Sequence, residues 1–122
     1  MNIFFLHKDP EKAAELQSDV HVVKMIVETM QMLCTCLHFS YSPFIWPFEL
    51  CKPTHVNHPS TKWVRFSGEN YKWTIKHGKA LCSEYTKRYN KVHKYDVYYT
   101  LLERFPIPFS PPIDVHLLNF NK

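Results

Sequence analysis

An imidazole, an ammonium and a carboxylate stand at helical spacing early in the chain: His21, Lys24 and Glu28, continued by Gln31 and Thr35. Residues three or four apart share a helix face, so these groups could hold a phosphate and move a proton. Composition alone prefers the plainer account, a solvated face with an i,i+4 Lys24–Glu28 pair. A second set is Cys34-x-Cys36-x-His38 with Cys51-x3-His55-x2-His58, six potential zinc ligands. Cys-x-Cys on a helix points its thiols apart, and no Cys-x-x-Cys pair occurs. Scattered core cysteines are therefore expected, with no metal and no cofactor.

The third set is electrostatic. Residues 1–50 hold three lysines against six acids, a net −3, whereas residues 62–94 hold nine lysines and arginines against two glutamates, a net +7. Such a directional field suits a polyanion. The phosphate-binding set read here is Lys62, Arg65, Lys72, Lys76, Lys87 and Arg88, with Lys24 and His58. Trp63, Tyr71, Trp73 and Tyr85 are interleaved where they could stack on bases; alternatively these aromatics are core and the lysines solubilise a helix. Hydrolase and nucleotide-loop chemistry finds no support. There is no Gly-x-Ser-x-Gly elbow, and only two glycines, Gly68 and Gly78, stand in 122 residues.

These residues need helices to position them. Asp9-Pro10 is a helix start, Asp as cap and Pro in the first turn. A longer helix from Ser18 or Asp19 to about residue 39 carries the apolar stripe Val22, Met25/Ile26, Met30, Leu33, Leu37. Four prolines within 40–59 predict a long loop. Ser60 is expected to cap a short helix to Phe66, and Ser67 a long one to about Asn90. The core stripe of that long helix is Tyr71, Ile75, Gly78, Cys82, Tyr85, Tyr89. Residues 96–104 form a last helix, and Pro106, Pro108, Pro111 and Pro112 an extended tail. The expectation is one compact all-α domain of three to four helices over 1–122, with a monomer favoured. Ile3–Leu6 is apolar, but charge begins at Lys8, so neither a signal core nor a membrane span is expected. The cysteines then read as reduced thiols of an intracellular protein.

The order of motifs resembles the pyrimidine-dimer DNA glycosylases, the small UV-endonuclease family of phage and some bacteria. Three blocks carry the resemblance: Asp19-x-His21-Val22-Val23 followed by Glu28, Asn57-His58-Pro59 opening a helix, and Glu84-x-x-Lys87-Arg88-Tyr89. It spans about residues 1–94. The first two blocks also look like short phage proteins of unassigned function.

The resemblance implies DNA as partner and a glycosylase with abasic-site lyase activity. The N-terminal α-amine attacks C1′ of a damaged or modified pyrimidine nucleotide, and the resulting Schiff base leads to strand cleavage by β-elimination. Asn2 is too large for ordinary Met removal, so the amine would be that of Met1. Glu28 matches the catalytic glutamate, His21 the histidine near the cleaved site, and His58 a phosphate or sugar contact. The chain departs from the pattern in three places. Val27 and Gln31 stand where the family has arginines, with Lys24 one turn earlier as partial substitute. The sequence ends Asn119-Phe120-Asn121-Lys122 in place of a Trp/Tyr cluster, with Tyr95, Tyr98 and Tyr99 upstream. A non-catalytic DNA-binding or inhibitor module using the basic helix is the alternative, and a zinc-stabilised interaction protein a second one.

Overall fold

The computed structural model describes residues 6–38 and 52–104. Met1, Cys51, most of the proline-rich loop and the C-terminal tail lie outside the described residues. Within them are five helices and no strand: α1 (Pro10–Glu15), α2 (Asp19–His38), α3 (Pro59–Phe66), α4 (Gly68–Tyr89) and α5 (Asp96–Arg104). The all-α expectation holds, with five helices where three to four were expected.

Local chemistry sets the ends. Asp9 caps α1 by accepting from the Glu11 amide, and Pro10 fills the first position, where no amide donor is needed. Ser18 opens α2, its hydroxyl accepting from His21 N–H at 3.3 Å and its carbonyl from Val22 N–H. The cap of α3 is His58, not Ser60: the imidazole Nδ1 accepts from the Ser60 amide at 3.1 Å, and Pro59 takes the first position. Ser67 caps α4 through Asn70 N–H, and Asn90 ends it in the left-handed region at φ 56°, which asparagine tolerates.

α4 is the hub, packing on all four other helices. Arg88 near its end reaches Asp19 at the start of α2, while Tyr71 near its beginning lies beside Cys36 near the end of α2. The two long helices therefore run in opposite directions. The whole expected stripe of α2 is buried, against Ile75, Leu81 and Cys82 of α4 and Val64 of α3. Each such side chain contributes roughly 1.5–3 kcal/mol relative to exposure. α2 has twenty residues and a stretch of mean hydropathy 1.3, enough by length and composition to cross a membrane. Most of that stretch is inside the protein, so its apolarity is satisfied by packing.

Where α2, α4 and α5 meet, Tyr99 is fully buried and donates its hydroxyl to the Ile26 carbonyl at 2.6 Å. Its ring lies so close over Gly78 that a Cβ there would overlap it. Gly78 is needed for that close approach, at some cost in helix propensity.

Candidate functional site

Three chemical groups of α2 stand in line. His21 is half-buried in the first turn, Lys24 is exposed, and Glu28 is half-buried with one carboxylate oxygen shut off from solvent. Lys24 Nζ lies 3.8 Å from Glu28 Oε2, the lysine side chain 66% exposed and the glutamate 16%. A carboxylate in that setting can take a proton or face a developing positive charge, with a movable cation at its rim. Thr35 leaves the stripe. It is fully buried, donates to the Gln31 carbonyl and accepts from the Thr54 amide at 3.1 Å, tying α2 to the segment before α3.

The first and third motif blocks meet through Arg88, whose five N–H donors all bind protein. Nη1 reaches the Gln17 carbonyl and Asp19 Oδ1, Nη2 the Glu15 carbonyl and Glu84 Oε1, and Nε also Glu84 Oε1. Asp19 is 72% exposed, so its pair is screened and contributes at most about 1 kcal/mol. The Glu84 pair and the two carbonyls are the firmer part. Arg88, read from sequence as a DNA contact, is thus a staple that fixes the start of α2, and so His21, against the end of α4.

The +7 stretch divides by role. Arg65 is 9% exposed beside Cys36, and burial lowers its pKa. Lys79 ties α4 to α5, 2.9 Å from Asp96 and 2.6 Å from the Thr100 hydroxyl. Lys72 and Lys76, one turn apart on α4, are exposed, and Lys87 is exposed 4.0 Å from Glu84. Lys62 of α3 is half-buried. A groove of about 500 Å³ along α4 sets Lys76, Lys79 and Lys87 beside Glu11, Glu15, Glu84 and Glu103. His58 uses Nδ1 as the cap acceptor of α3, so its proton belongs on Nε2, a donor that a phosphate could take.

The aromatics expected to stack on bases pack against the protein itself, with Trp63, Trp73 and Tyr85 half-buried. Tyr71 is buried, and burial raises its pKa. Trp63 meets Trp73 edge-on at 5.7 Å, and Trp73 stacks on His77 at 4.8 Å. Rings do line the other end of α4, where Tyr89, Tyr85, His93, Tyr95 and Tyr98 follow one another at 5.2–5.5 Å between centroids. Sequence reasoning missed His77, which is 1% exposed. Its Nδ1–H donates to the Pro10 carbonyl at 3.1 Å, and burial lowers its pKa, the Pro10 bond offsetting part of that. Only its i,i+4 spacing from Trp73 hinted at a shared face.

Among the described residues no group of three or more His, Cys, Asp or Glu could hold a metal ion. Burial pushes the thiols of Cys36 and Cys82 up to about 12.

A helical chain with a half-buried carboxylate in line with an ammonium and an imidazole on one helix, and exposed lysines on another, is built to handle a polyanion. A family model described as pyrimidine dimer DNA glycosylase matches residues 1–97, and the chain belongs to that family. It is accordingly a DNA-glycosylase-type repair protein whose partner is DNA. Comparison with curated proteins and with solved structures yields no match.

Proposed function

We propose that this protein is a glycosylase with abasic-site lyase activity, acting through the α-amine of Met1 on damaged or modified pyrimidines in DNA. A terminal amine has a pKa near ~8, so part of it is neutral at pH 7. It attacks C1′ of the extruded nucleotide. The C1′–N bond breaks, and the base leaves with the bonding pair and takes up a proton. The sugar ring opens to a protonated imine between Met1 nitrogen and C1′. Glu28 faces this positive charge and then takes a C2′ proton, and the electrons expel the 3′ phosphate. Water hydrolyses the imine and returns the amine.

His21 acts beside the cleaved phosphate, and Lys24 supplies charge that the family draws from arginines. His58, Lys62, Lys72, Lys76 and Lys87 hold the backbone. The observation that carries this reading is the half-buried Glu28 carboxylate on one face with His21 and Lys24, inside the family match. The protein then works inside the cell, where its thiols stay reduced.

Untagged protein with abasic DNA should give a borohydride-trapped adduct at the Met1 amine. Glu28→Gln should bind DNA as before and lose strand nicking by roughly 10²–10⁴. Absence of any adduct leaves the second reading, a non-catalytic DNA-binding module, which Val27 and Gln31 at the family's arginine positions favour. Both readings require Lys72→Glu with Lys76→Glu to weaken DNA binding at all sequences, and to flatten its salt dependence by roughly 0.9 in slope per lysine.

A further inference from the structure

The turn between α4 and α5 sets charge of one sign around an apolar tip. Residues 85–95 hold Lys87, Arg88, Lys91 and Lys94 and no acid. Arg88 is spent on the staple to α2, whereas Lys91 and Lys94 are exposed. Between those two lysines stands Val92, at 73% the most exposed large hydrophobic among the described residues. The turn that carries it is braced. Asn90 sits in the left-handed region at φ 56°, and its amide donates to the Thr86 carbonyl at 2.8 Å. His93 accepts from the Tyr95 amide on Nδ1 and from the Asp96 amide on its carbonyl, each at 3.0 Å. The Tyr85 ring lies 5.3 Å from that of Tyr89 and 5.2 Å from that of His93, so both ends of the turn rest on one side chain. The Tyr89 hydroxyl reaches the Asp19 carbonyl at 3.5 Å, which ties the end of α4 to the start of α2, two residues before His21.

Single exposed apolar side chains are ordinary on a protein surface. A valine fixed on a braced turn between two exposed cations is a different object. We propose that this turn is a DNA-inserting tip, in which Lys91 and Lys94 meet phosphates and Val92 enters between bases and parts them. The proposal rests on DNA as the partner and is independent of the Met1 amine. In a duplex, phosphates flank each groove and apolar base faces lie stacked between them, an alternation that Lys91-Val92-x-Lys94 repeats. Contact with phosphates alone would leave the valine in a polar setting. A second copy of this chain docked on the same turn would bring like charge against like charge. A base step parted in this way meets some of the unstacking cost of extruding a nucleotide.

The test uses the whole protein and a duplex with an uncleavable abasic-site analogue. The fluorescent base 2-aminopurine, which brightens on unstacking, is placed in turn at each neighbouring position. Wild type should brighten at least one position. Val92→Ser should lose most of that rise, and Val92→Leu, apolar and larger, should keep it; both should retain the wild-type salt dependence of affinity. Lys91→Gln and Lys94→Gln should each flatten that dependence by roughly 0.9 in slope. All three side chains are exposed, so the variants should melt as wild type does. Wild type that binds without brightening any position overturns the proposal, as does a rise undiminished in Val92→Ser. A salt slope untouched by both lysine variants, while Lys72→Glu with Lys76→Glu flattens it, also overturns it and leaves DNA binding by α4 standing.

Discussion

α4 grips α1 at both ends by unlike means. At the far end Arg88 takes the Glu15 and Gln17 carbonyls with a charged fork that is 20% exposed and braced by Glu84 and Asp19. At the near end Trp73 and His77 take the Lys8 and Pro10 carbonyls with neutral, stacked rings. The backbone groups served are of one kind, yet one grip answers to the loss of a charge and the other to a proton. The difference shows that cations in a basic stretch of sequence need not face a ligand, and that aromatics beside them need not face a base.

The largest expected effect comes from breaking the charged grip. Arg88→Ala leaves the Glu84 carboxylate, 13% exposed, to the exposed Lys87 at 4.0 Å and strands two carbonyls. The loss in urea unfolding should lie at the lower end of roughly 3–5 kcal/mol, since the site is partly solvated. Arg88→Lys should recover little, because an ammonium cannot make the fork. A loss below 1 kcal/mol would show the staple to be ornamental.

The neutral grip should show itself through pH. Burial holds the folded-state pKa of His77 below its ordinary 6.5, so between those values the unfolded chain binds the proton more tightly. Its contribution is complete above pH 6.5 and is lost as the pH falls toward the folded value. His93 is lowered in the same direction by burial and by Lys94, so His93→Gln serves as the background. In that background His77→Leu should abolish the acid-side decline in stability, and persistence of the decline would assign it elsewhere. The smallest effect is Asp19→Asn, at most about 1 kcal/mol and shrinking with added salt, because that carboxylate is 72% exposed.

Local signals were legible in sequence wherever they are local in physics. Asp9-Pro10, Ser67 and Asn90 mark their helix ends because a cap is decided within a few residues, and the α2 stripe follows from period alone. His58 displaced Ser60 as a cap because an imidazole nitrogen can accept as a hydroxyl does, which residue-type rules underrate. The face shared by His21, Lys24 and Glu28 was legible, and so was its Lys24–Glu28 pair. The roles of Arg65, Arg88, Trp73 and His77 were not, because each is fixed by partners far along the chain or by packing, and composition carries no record of those distances.

The family match ends at residue 97, two positions short of Tyr99. Yet Tyr99 closes the space over Gly78 and donates to Ile26, and Leu102 of the same helix is buried. A protein cut at the boundary of the match would keep every motif and lose the plug of its own interior. It would leave a hole the size of a phenol between the two long helices, at a cost typical of aromatic truncation in a core, roughly 3–5 kcal/mol. The folding unit therefore extends past residue 97, through α5 at least to Leu102.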